Sequence, residues 1–253
     1  MKENEAYQAL KNYSGSDGMK IIFHGTGNGA RHLADCLDNG IYYQGDAPDM
    51  LVIKENEAII IEHFEFDSCH VRRGKGSPAR QELSRIQIAE DALTATEEGA
   101  FFHDEIKAKS SYSDLLANVT RSFKKHYSHI AMYKNNLTEL GLINDAMDVR
   151  VLFLLEDASP LGTMVAERKG YHSKIRPLVL PLCEDFLDLL RVSPDLDYVL
   201  CCSSAGEENY VWFIDCREID EYYKNKVDYK NMYFMDFTPQ VMGVKFSIPR
   251  KDD

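Results

Sequence analysis

The stretch Asp46-Ala-Pro-Asp-Met-Leu-Val-Ile-Lys-Glu-Asn-Glu-Ala-Ile-Ile-Ile-Glu-His-Phe-Glu-Phe-Asp67 decides the fold, because its apolar residues indicate two strands joined by a tight turn. A two-residue loop at 55–56 pairs these strands in a register that places Asp49 opposite Glu62. Like charges that face each other across a sheet destabilise it. The pairing therefore predicts a divalent cation between the two carboxylates.

Both arms of this hairpin are apolar at consecutive positions, which is typical of strands covered on two faces and predicts an internal sheet. Around the hairpin, apolar periodicity, proline and glycine mark further strands and helices. The sequence thus predicts an α/β protein with a central mixed sheet flanked by helices. In chain order the predicted elements are a strand at 20–24, a helix at 30–37, a strand at 41–43, the hairpin arms at 49–54 and 57–66, helices at 78–98 and 113–140, a strand at 149–155, a strand or extended edge at 177–182, a helix at 184–191, and a second hairpin at 198–203 and 210–215.

The whole chain has the composition of an ordinary globular protein. Its 253 residues, 44% of them hydrophobic, suffice for a substantial core, and no linker or repeat divides them, so we expect a single α/β domain over 1–253. The first residues lack an apolar signal core, and no run approaches the ~18 apolar residues of a membrane span, which predicts a cytoplasmic protein without a membrane segment. Six dispersed cysteines without CxxC spacing predict reduced core thiols.

The charge distribution bears on nucleic-acid binding. The formal net charge of −12 opposes nonspecific attraction to a polyanion. Two segments depart from this average, because 72–85 and 121–134 each carry a local charge of +4. Each is either a solvated surface or a contact to phosphates. The candidate nucleic-acid-binding residues are Arg72, Arg73, Lys75, Arg80, Arg121, Lys124 and Lys125.

The order of the predicted elements resembles that of the PD-(D/E)xK nuclease superfamily, whose core runs α-β-β-β-α-β. The residues that carry the resemblance are Pro48-Asp49 and Glu62-His63-Phe64. The resemblance implies a restriction-endonuclease-like core at about 28–155 and a C-terminal extension of sheet and helix at about 156–253.

The same resemblance implies a catalytic metal site. Asp49 and Glu62 would be catalytic ligands of Mg²⁺ or Mn²⁺, His63 would add its backbone carbonyl, and the substrate would be DNA or RNA. The superfamily lysine, which helps orient or activate the attacking water, falls at the position of Phe64. Phosphodiester cleavage needs both charge neutralisation and a deprotonated water, and phenylalanine supplies neither.

This departure leaves two readings of the function. Either a basic residue enters the site, from the 72–80 loop or from the partner in a homodimer, or the fold persists without cleavage. We therefore predict a divalent-metal-dependent nuclease that hydrolyses phosphodiester bonds, or a catalytically weakened relative of one. A non-catalytic interaction module, with an acidic surface for a protein partner, is an alternative.

A glycine-rich segment offers a further alternative. Gly25-Thr-Gly-Asn-Gly-Ala30 satisfies G-x-G-x-x-G/A between a predicted strand and helix, and Asp46 follows about twenty residues later. Such a loop can hold the pyrophosphate of a dinucleotide against backbone N–H groups. A glycine-rich turn followed by the start of a helix accounts for the same residues without a ligand. The hairpin that comes next departs from the β-α-β order of nucleotide-binding folds.

A histidine pair and a mixed cluster are further candidate sites. His126 and His129 lie one turn apart on the helix predicted at 113–140, where they either face solvent or contact phosphates. The mixed cluster offers imidazole, thiolate and carboxylate ligands for zinc, but a sharp bend is needed to bring them together. Its members are His63, Asp67, Cys69 and His70.

Overall fold

A computed structural model of the protein describes most of the chain. The predicted strand at 20–24, residues 25–28 of the glycine loop, His70 and the basic residues at 72–80 lie outside the described residues. Those described are 29–69, 81, 84, 85, 87–89, 91, 92, 101–105, 109–159, 163–167, 174–205, 208–234 and 240–244.

Helices and strands alternate along the described chain, in agreement with the predicted α/β class. The residues described between 81 and 92 are helical, as predicted for that segment. The helices are α1 (Gly29–Asn39), α2 (Tyr112–Tyr127), α3 (Ile130–Glu139), α4 (Glu184–Arg191) and α5 (Ile219–Tyr223), with short 3₁₀ turns at Leu180–Leu182 and Cys216–Glu218. The strands are β1 (Ile41–Gln44), β2 (Met50–Lys54), β3 (Glu57–Phe66), β4 (Phe101–Glu105), β5 (Asp148–Asp157), β6 (Met164–Glu167), β7 (Ile175–Pro177), β8 (Tyr198–Ala205), β9 (Glu208–Asp215), β10 (Met232–Phe234) and β11 (Gln240–Val244).

Six strands form one mixed sheet in the order β1-β2-β3-β5-β8-β9, which confirms the predicted central sheet. Strands β1, β2 and β3 are antiparallel neighbours, β3, β5 and β8 run parallel, and β9 returns antiparallel beside β8. Smaller sheets contain β10-β6-β7 and β11-β4. Strands β8 and β9 come from the region expected to extend the core, and they continue the same sheet.

The hairpin of β2 and β3 has the predicted register. Met50 pairs with Ile61, and Lys54 pairs with Glu57 at the turn. Glu55 has a positive φ of 54°, the left-handed conformation that two-residue hairpin loops favour. The next pair in this register contains the two candidate metal ligands.

Strand β3 is covered on both faces, as its continuous apolar sequence predicts. Ile60 and Phe64 belong to one buried cluster together with Phe123 of α2. Ile59 belongs to a second buried cluster together with Leu33 of α1. Burying one large apolar side chain contributes roughly 1.5–3 kcal/mol, and β3 supplies such side chains to both layers.

The prediction of a single helix at 113–140 is wrong in one respect, because the structure has two helices, α2 and α3, separated by a turn. The Oγ of Ser128 donates to the carbonyl of Lys125 across 2.7 Å. In a continuous helix that carbonyl would accept from the N–H of His129, which here donates to the carbonyl of His126 across 3.0 Å. Apolar spacing continues across the turn, so periodicity alone does not reveal it.

The end of α3 lies where the sequence predicts it. Gly141 has a φ of 68° and its N–H donates to the carbonyl of Thr138, while the N–H of Leu142 donates to that of Leu137. This pair of bonds is the usual way to end a helix at a left-handed residue. Leu140, just before the glycine, is 71% exposed.

The strand or edge predicted at 177–182 is mostly wrong. Strand β7 ends at Pro177, and a 3₁₀ turn occupies Leu180–Leu182. Pro181 has no N–H to donate to a ladder, so the segment cannot continue a paired strand. The second hairpin is confirmed, and its arms are β8 and β9.

The state of the cysteines agrees with the expectation from composition. All six cysteines are free thiols and five of them are buried, as expected of reduced core residues. Among the helices that the structure describes, none is both long and apolar enough to cross a membrane.

Phe123 tests the packing of α2 on the sheet. Its ring is 1% exposed and meets the ring of Phe153 edge-on, with 5.2 Å between centroids. We expect Phe123→Ala to lower the free energy of unfolding in urea by about 3–5 kcal/mol, because it leaves a cavity. The control Leu140→Ala, at an exposed position, should change it by less than about 0.5 kcal/mol. Equal losses in the two variants would contradict this packing.

Candidate active site on the central hairpin

Asp49 and Glu62 meet where β2 begins beside the middle of β3. The backbone N–H of Asp49 donates to Oε2 of Glu62 across 3.4 Å. The N–H of His63 donates to Oδ2 of Asp49 across 2.7 Å. Backbone N–H groups therefore hold together the two carboxylates that the sequence predicts as metal ligands. Their metal-binding role stays a prediction.

Glu62 lies inside the protein, with 5% of its surface exposed. Its Oε1 accepts a hydrogen bond from the hydroxyl of Tyr133 across 2.6 Å and lies 2.7 Å from Nδ1 of His126. Because an ionised carboxylate can only accept, the proton in the second contact lies on Nδ1. Burial and the hydrogen bond to Glu62 raise the pKa of Tyr133, which keeps its hydroxyl a donor.

Phe64, at the position of the superfamily lysine, leaves β3 on the same face as Glu62. Its ring stacks on the imidazole of His126, with 4.8 Å between centroids and 12° between planes. It also meets Phe153 edge-on at 5.6 Å. Phe64 therefore supports His126, which is the basic side chain in contact with Glu62.

The sequence analysis missed the roles of His126 and Tyr133. The available signal is their spacing, because His126, Ile130, Tyr133 and Leu137 recur at steps of four and three along one face. The last three are each 4% exposed or less, so this face points inward. His129 also faces the site, with Nδ1 3.4 Å from the Tyr133 hydroxyl.

The side chain of His63 leaves β3 on the opposite face, because successive strand residues alternate. It is 6% exposed, and its Nε2 lies 3.1 Å from Oε2 of Glu156. Nearby, Oδ1 of Asp67 accepts the N–H of Cys69 across 2.9 Å, so this carboxylate caps its own turn. Within the described part of the chain, His63, Asp67 and Cys69 do not converge as the predicted zinc cluster, and a different group of three does.

The predicted nucleic-acid contacts are described only in part. Arg121, Lys124 and Lys125 are exposed on α2, the helix that also carries His126. Arg121 donates from Nη2 to Oδ1 of Asn118 across 3.1 Å. Their contact with phosphates stays a prediction. The other candidates, Arg72, Arg73, Lys75 and Arg80, lie outside the described residues.

The glycine motif has a packing explanation at the residue where α1 begins. A Cβ on Gly29 would lie 2.5 Å from Oδ2 of Asp215 and 2.9 Å from the ring of Tyr198, so only glycine allows this approach. After α1 the chain enters the antiparallel strands β1 to β3, which differ from a β-α-β unit. Asp46 is exposed in the following loop. Both facts weaken the case for a dinucleotide site.

Comparison with known proteins identifies no relative of the chain. The chain matches no protein-family model, no curated protein and no solved structure. The function is therefore inferred from the geometry of the site.

A substitution of Asp49 tests whether the site raises the pKa of this carboxyl group. Burial raises the pKa of its carboxyl group, the His63 N–H opposes this shift, and the charge of Glu62 adds to it. A carboxyl pKa raised in the folded state means that stability is lost as the pH rises through that pKa. Asp49→Asn removes the charge and keeps an oxygen for the His63 N–H. Without divalent metal, we expect the variant to become progressively more stable than the unaltered protein as the pH rises from acidic to neutral.

Urea unfolding at a series of pH values measures this difference. Asp145→Asn, at an exposed position, is the control and should give a difference that does not change with pH. If the difference in free energy of unfolding between Asp49→Asn and the unaltered protein were constant with pH, or changed in the opposite direction, the folded state would not raise the pKa of Asp49.

A substitution of Tyr133 tests whether its hydrogen bond stabilises the buried carboxylate of Glu62. Tyr133→Phe removes one donor from a buried carboxylate, so we expect the free energy of unfolding to fall by about 1.5–3 kcal/mol. Tyr127→Phe is the control, because its hydroxyl meets Asp195 at an exposed position, and it should cost no more than about 1 kcal/mol. The same loss in both would mean that the Tyr133 hydroxyl does not stabilise Glu62.

Proposed function

We propose that this protein is a divalent-metal-dependent nuclease, which hydrolyses phosphodiester bonds in DNA or RNA with Mg²⁺ or Mn²⁺ held by Asp49 and Glu62. The observation that carries the proposal is the meeting of these carboxylates on an internal hairpin, Glu62 buried and Asp49 at a raised pKa. Neighbouring acidic groups disfavour each other's ionised form, and a bound cation removes that cost. The backbone carbonyl of His63 would be the third ligand.

The order of the elements supports this proposal. Helix α1, strands β1 to β3, helix α2 and strand β5 follow one another with β3 parallel to β5, and β4 and α3 lie between them in the chain. This order agrees with the α-β-β-β-α-β core of the PD-(D/E)xK superfamily. On this proposal, Asp49 and Glu62 would correspond to its acidic metal ligands.

The contacts of His126 support a role as a positioning residue. Its Nδ1 and the Tyr133 hydroxyl both bind Oε1 of Glu62, while Oε2 lies next to the N–H of Asp49. Oε2 is thereby directed to the side where Asp49 would share a metal. His126 also places a basic group beside the site, where the lysine of the superfamily is replaced by Phe64.

The experiment is a cleavage assay on labelled single- and double-stranded DNA and RNA with Mg²⁺ or Mn²⁺, and with EDTA as the metal-free control. We expect metal-dependent cleavage that falls by more than about 100-fold in both Asp49→Asn and Glu62→Gln, because losing a metal ligand costs more than losing the partner of one. Glu139→Gln, at an exposed position on α3, is the matched control and should cut normally. Cleavage that is indifferent to both site variants would overturn the proposal.

His126→Gln separates positioning from folding. Glutamine keeps a donor for Glu62 and loses the ring, so we expect activity to fall by about 10- to 100-fold and to recover partly at higher Mn²⁺ concentration. A merely structural defect would lower the melting temperature of the metal-free variant, which thermal unfolding measures separately from the recovery of activity.

A non-cleaving relative is the second candidate, and Phe64 is the observation that favours it. In that case Mn²⁺ would still bind to the folded state and raise the melting temperature, and Asp49→Asn and Glu62→Gln would each abolish the shift. No cleavage and no metal-dependent shift would exclude both candidates.

A further inference from the structure

Three side chains with metal-binding atoms converge between α1 and the start of β3. His32 and Cys36 lie one turn apart on α1, and Glu57 is the first residue of β3. The Nε2 of His32 lies 3.0 Å from Oε2 of Glu57, and the Sγ of Cys36 lies 3.3 Å from the same oxygen. The Sγ and Nε2 atoms are 3.8 Å apart. Among the residues that the structure describes, this is the group whose ligand atoms come together.

These separations are close to those of a tetrahedral zinc site. With ordinary zinc–ligand lengths, tetrahedral angles place sulfur about 3.5 Å from nitrogen, sulfur about 3.5 Å from oxygen, and nitrogen about 3.3 Å from oxygen. The three observed separations of 3.8, 3.3 and 3.0 Å each differ from these by a few tenths of an ångström. Small side-chain rotations therefore suffice to place all three atoms around one ion.

The surroundings fit an ion with one open position. Cys36 is 1% exposed, whereas the side chains of His32 and Glu57 are 35% and 32% exposed, so water reaches one side of the group. Three protein ligands and one water are the usual set of an open zinc site. The carboxylates of Asp35 and Asp148 lie near His32, and each is paired with a cation, Lys54 and Arg150 respectively, so these two pairs leave the charge around the group balanced.

The thiol of Cys36 is a hydrogen-bond donor within the group. It donates to Oε2 of Glu57, the oxygen that His32 also contacts, so the three side chains already converge on one point. A zinc–sulfur bond would displace the thiol proton to solvent.

From this arrangement we propose that His32, Cys36 and Glu57 bind Zn²⁺, with water as the fourth ligand. Thiolate and imidazole ligands select zinc over magnesium, which prefers oxygen. The site is separate from Asp49 and Glu62: Glu57 and Glu62 are five positions apart, about 16 Å along an extended strand. An odd separation places their side chains on opposite faces of β3.

The test titrates the full chain, reduced and freed of metal by chelation, with Co²⁺ as a spectroscopic substitute for Zn²⁺. We expect intense visible ligand-field bands and a near-ultraviolet charge-transfer band from sulfur to cobalt, both removed when Zn²⁺ displaces Co²⁺. Cys36→Ala should abolish the charge-transfer band. His32→Gln and Glu57→Gln, at partly exposed positions that tolerate substitution, should each weaken Zn²⁺ binding by at least about 10-fold.

The matched control is Asp38→Asn, which changes an exposed carboxylate on the same helix and should leave the charge-transfer band in place. Circular dichroism of each variant verifies that it is folded. The proposal is overturned if saturating Co²⁺ gives no charge-transfer band in the unaltered chain, or if the band survives in Cys36→Ala. Asp49→Asn should keep the band and Glu57→Gln should keep any Mg²⁺-dependent cleavage, so failure here is distinguishable from failure of the nuclease proposal.

Discussion

The burial of β3 on both faces is the constraint on which the rest of the structure depends. The strand has β2 on one edge and β5 on the other, and its apolar side chains enter two separate clusters. A polar residue in its middle therefore cannot reach water and must find a partner within the protein. Glu62 and His63 are such residues on opposite faces, and they meet His126 with Tyr133 on one side and Glu156 on the other.

The energy balance at Glu62 argues that it is retained for something other than stability. Removing an ionised carboxylate from water costs several kcal/mol. Hydrogen bonds to a charged group return about 1.5–3 kcal/mol each, and the donors are Tyr133, His126 and the N–H of Asp49. Gain and cost are of similar size, so the carboxylate with its partners adds little net stability. A residue that adds little net stability and needs several partners is the kind of local exception found at functional sites.

The features that the sequence predicts correctly are those that depend on residues close together in the chain. The register of β2 and β3 follows from the two-residue turn at 55–56, and the end of α3 follows from Gly141. The turn between α2 and α3 contains a hydrogen bond from the Ser128 hydroxyl to the carbonyl of Lys125, which apolar periodicity does not reveal. The sequence therefore predicts the α/β fold correctly but misses the end of α2 at Tyr127.

The candidate site was harder to predict because its contacts are long-range. Spacing on α2 and α3 identifies the inward face, but it does not identify the residue that this face meets, and His126 and Glu62 are 64 positions apart. A long-range contact also bears on the last glycine of the glycine-rich motif. Gly29 is required by the approach of Asp215, 186 positions further along the chain, which the sequence pattern does not reveal.

The alternation of β3 also explains how one strand could serve the two proposed metal sites, which differ in chemistry. Glu62 shares its face with Ile60 and Phe64, while Glu57 shares the other face with Ile59 and contacts α1. The first position offers carboxylate and carbonyl oxygens, which suit Mg²⁺ or Mn²⁺, and the second offers sulfur and nitrogen, which suit Zn²⁺. Each site therefore depends on the same register, because a slip of one residue would exchange the two faces. The tight turn at 55–56, which fixes that register, is consequently as important to both proposed sites as their candidate ligands.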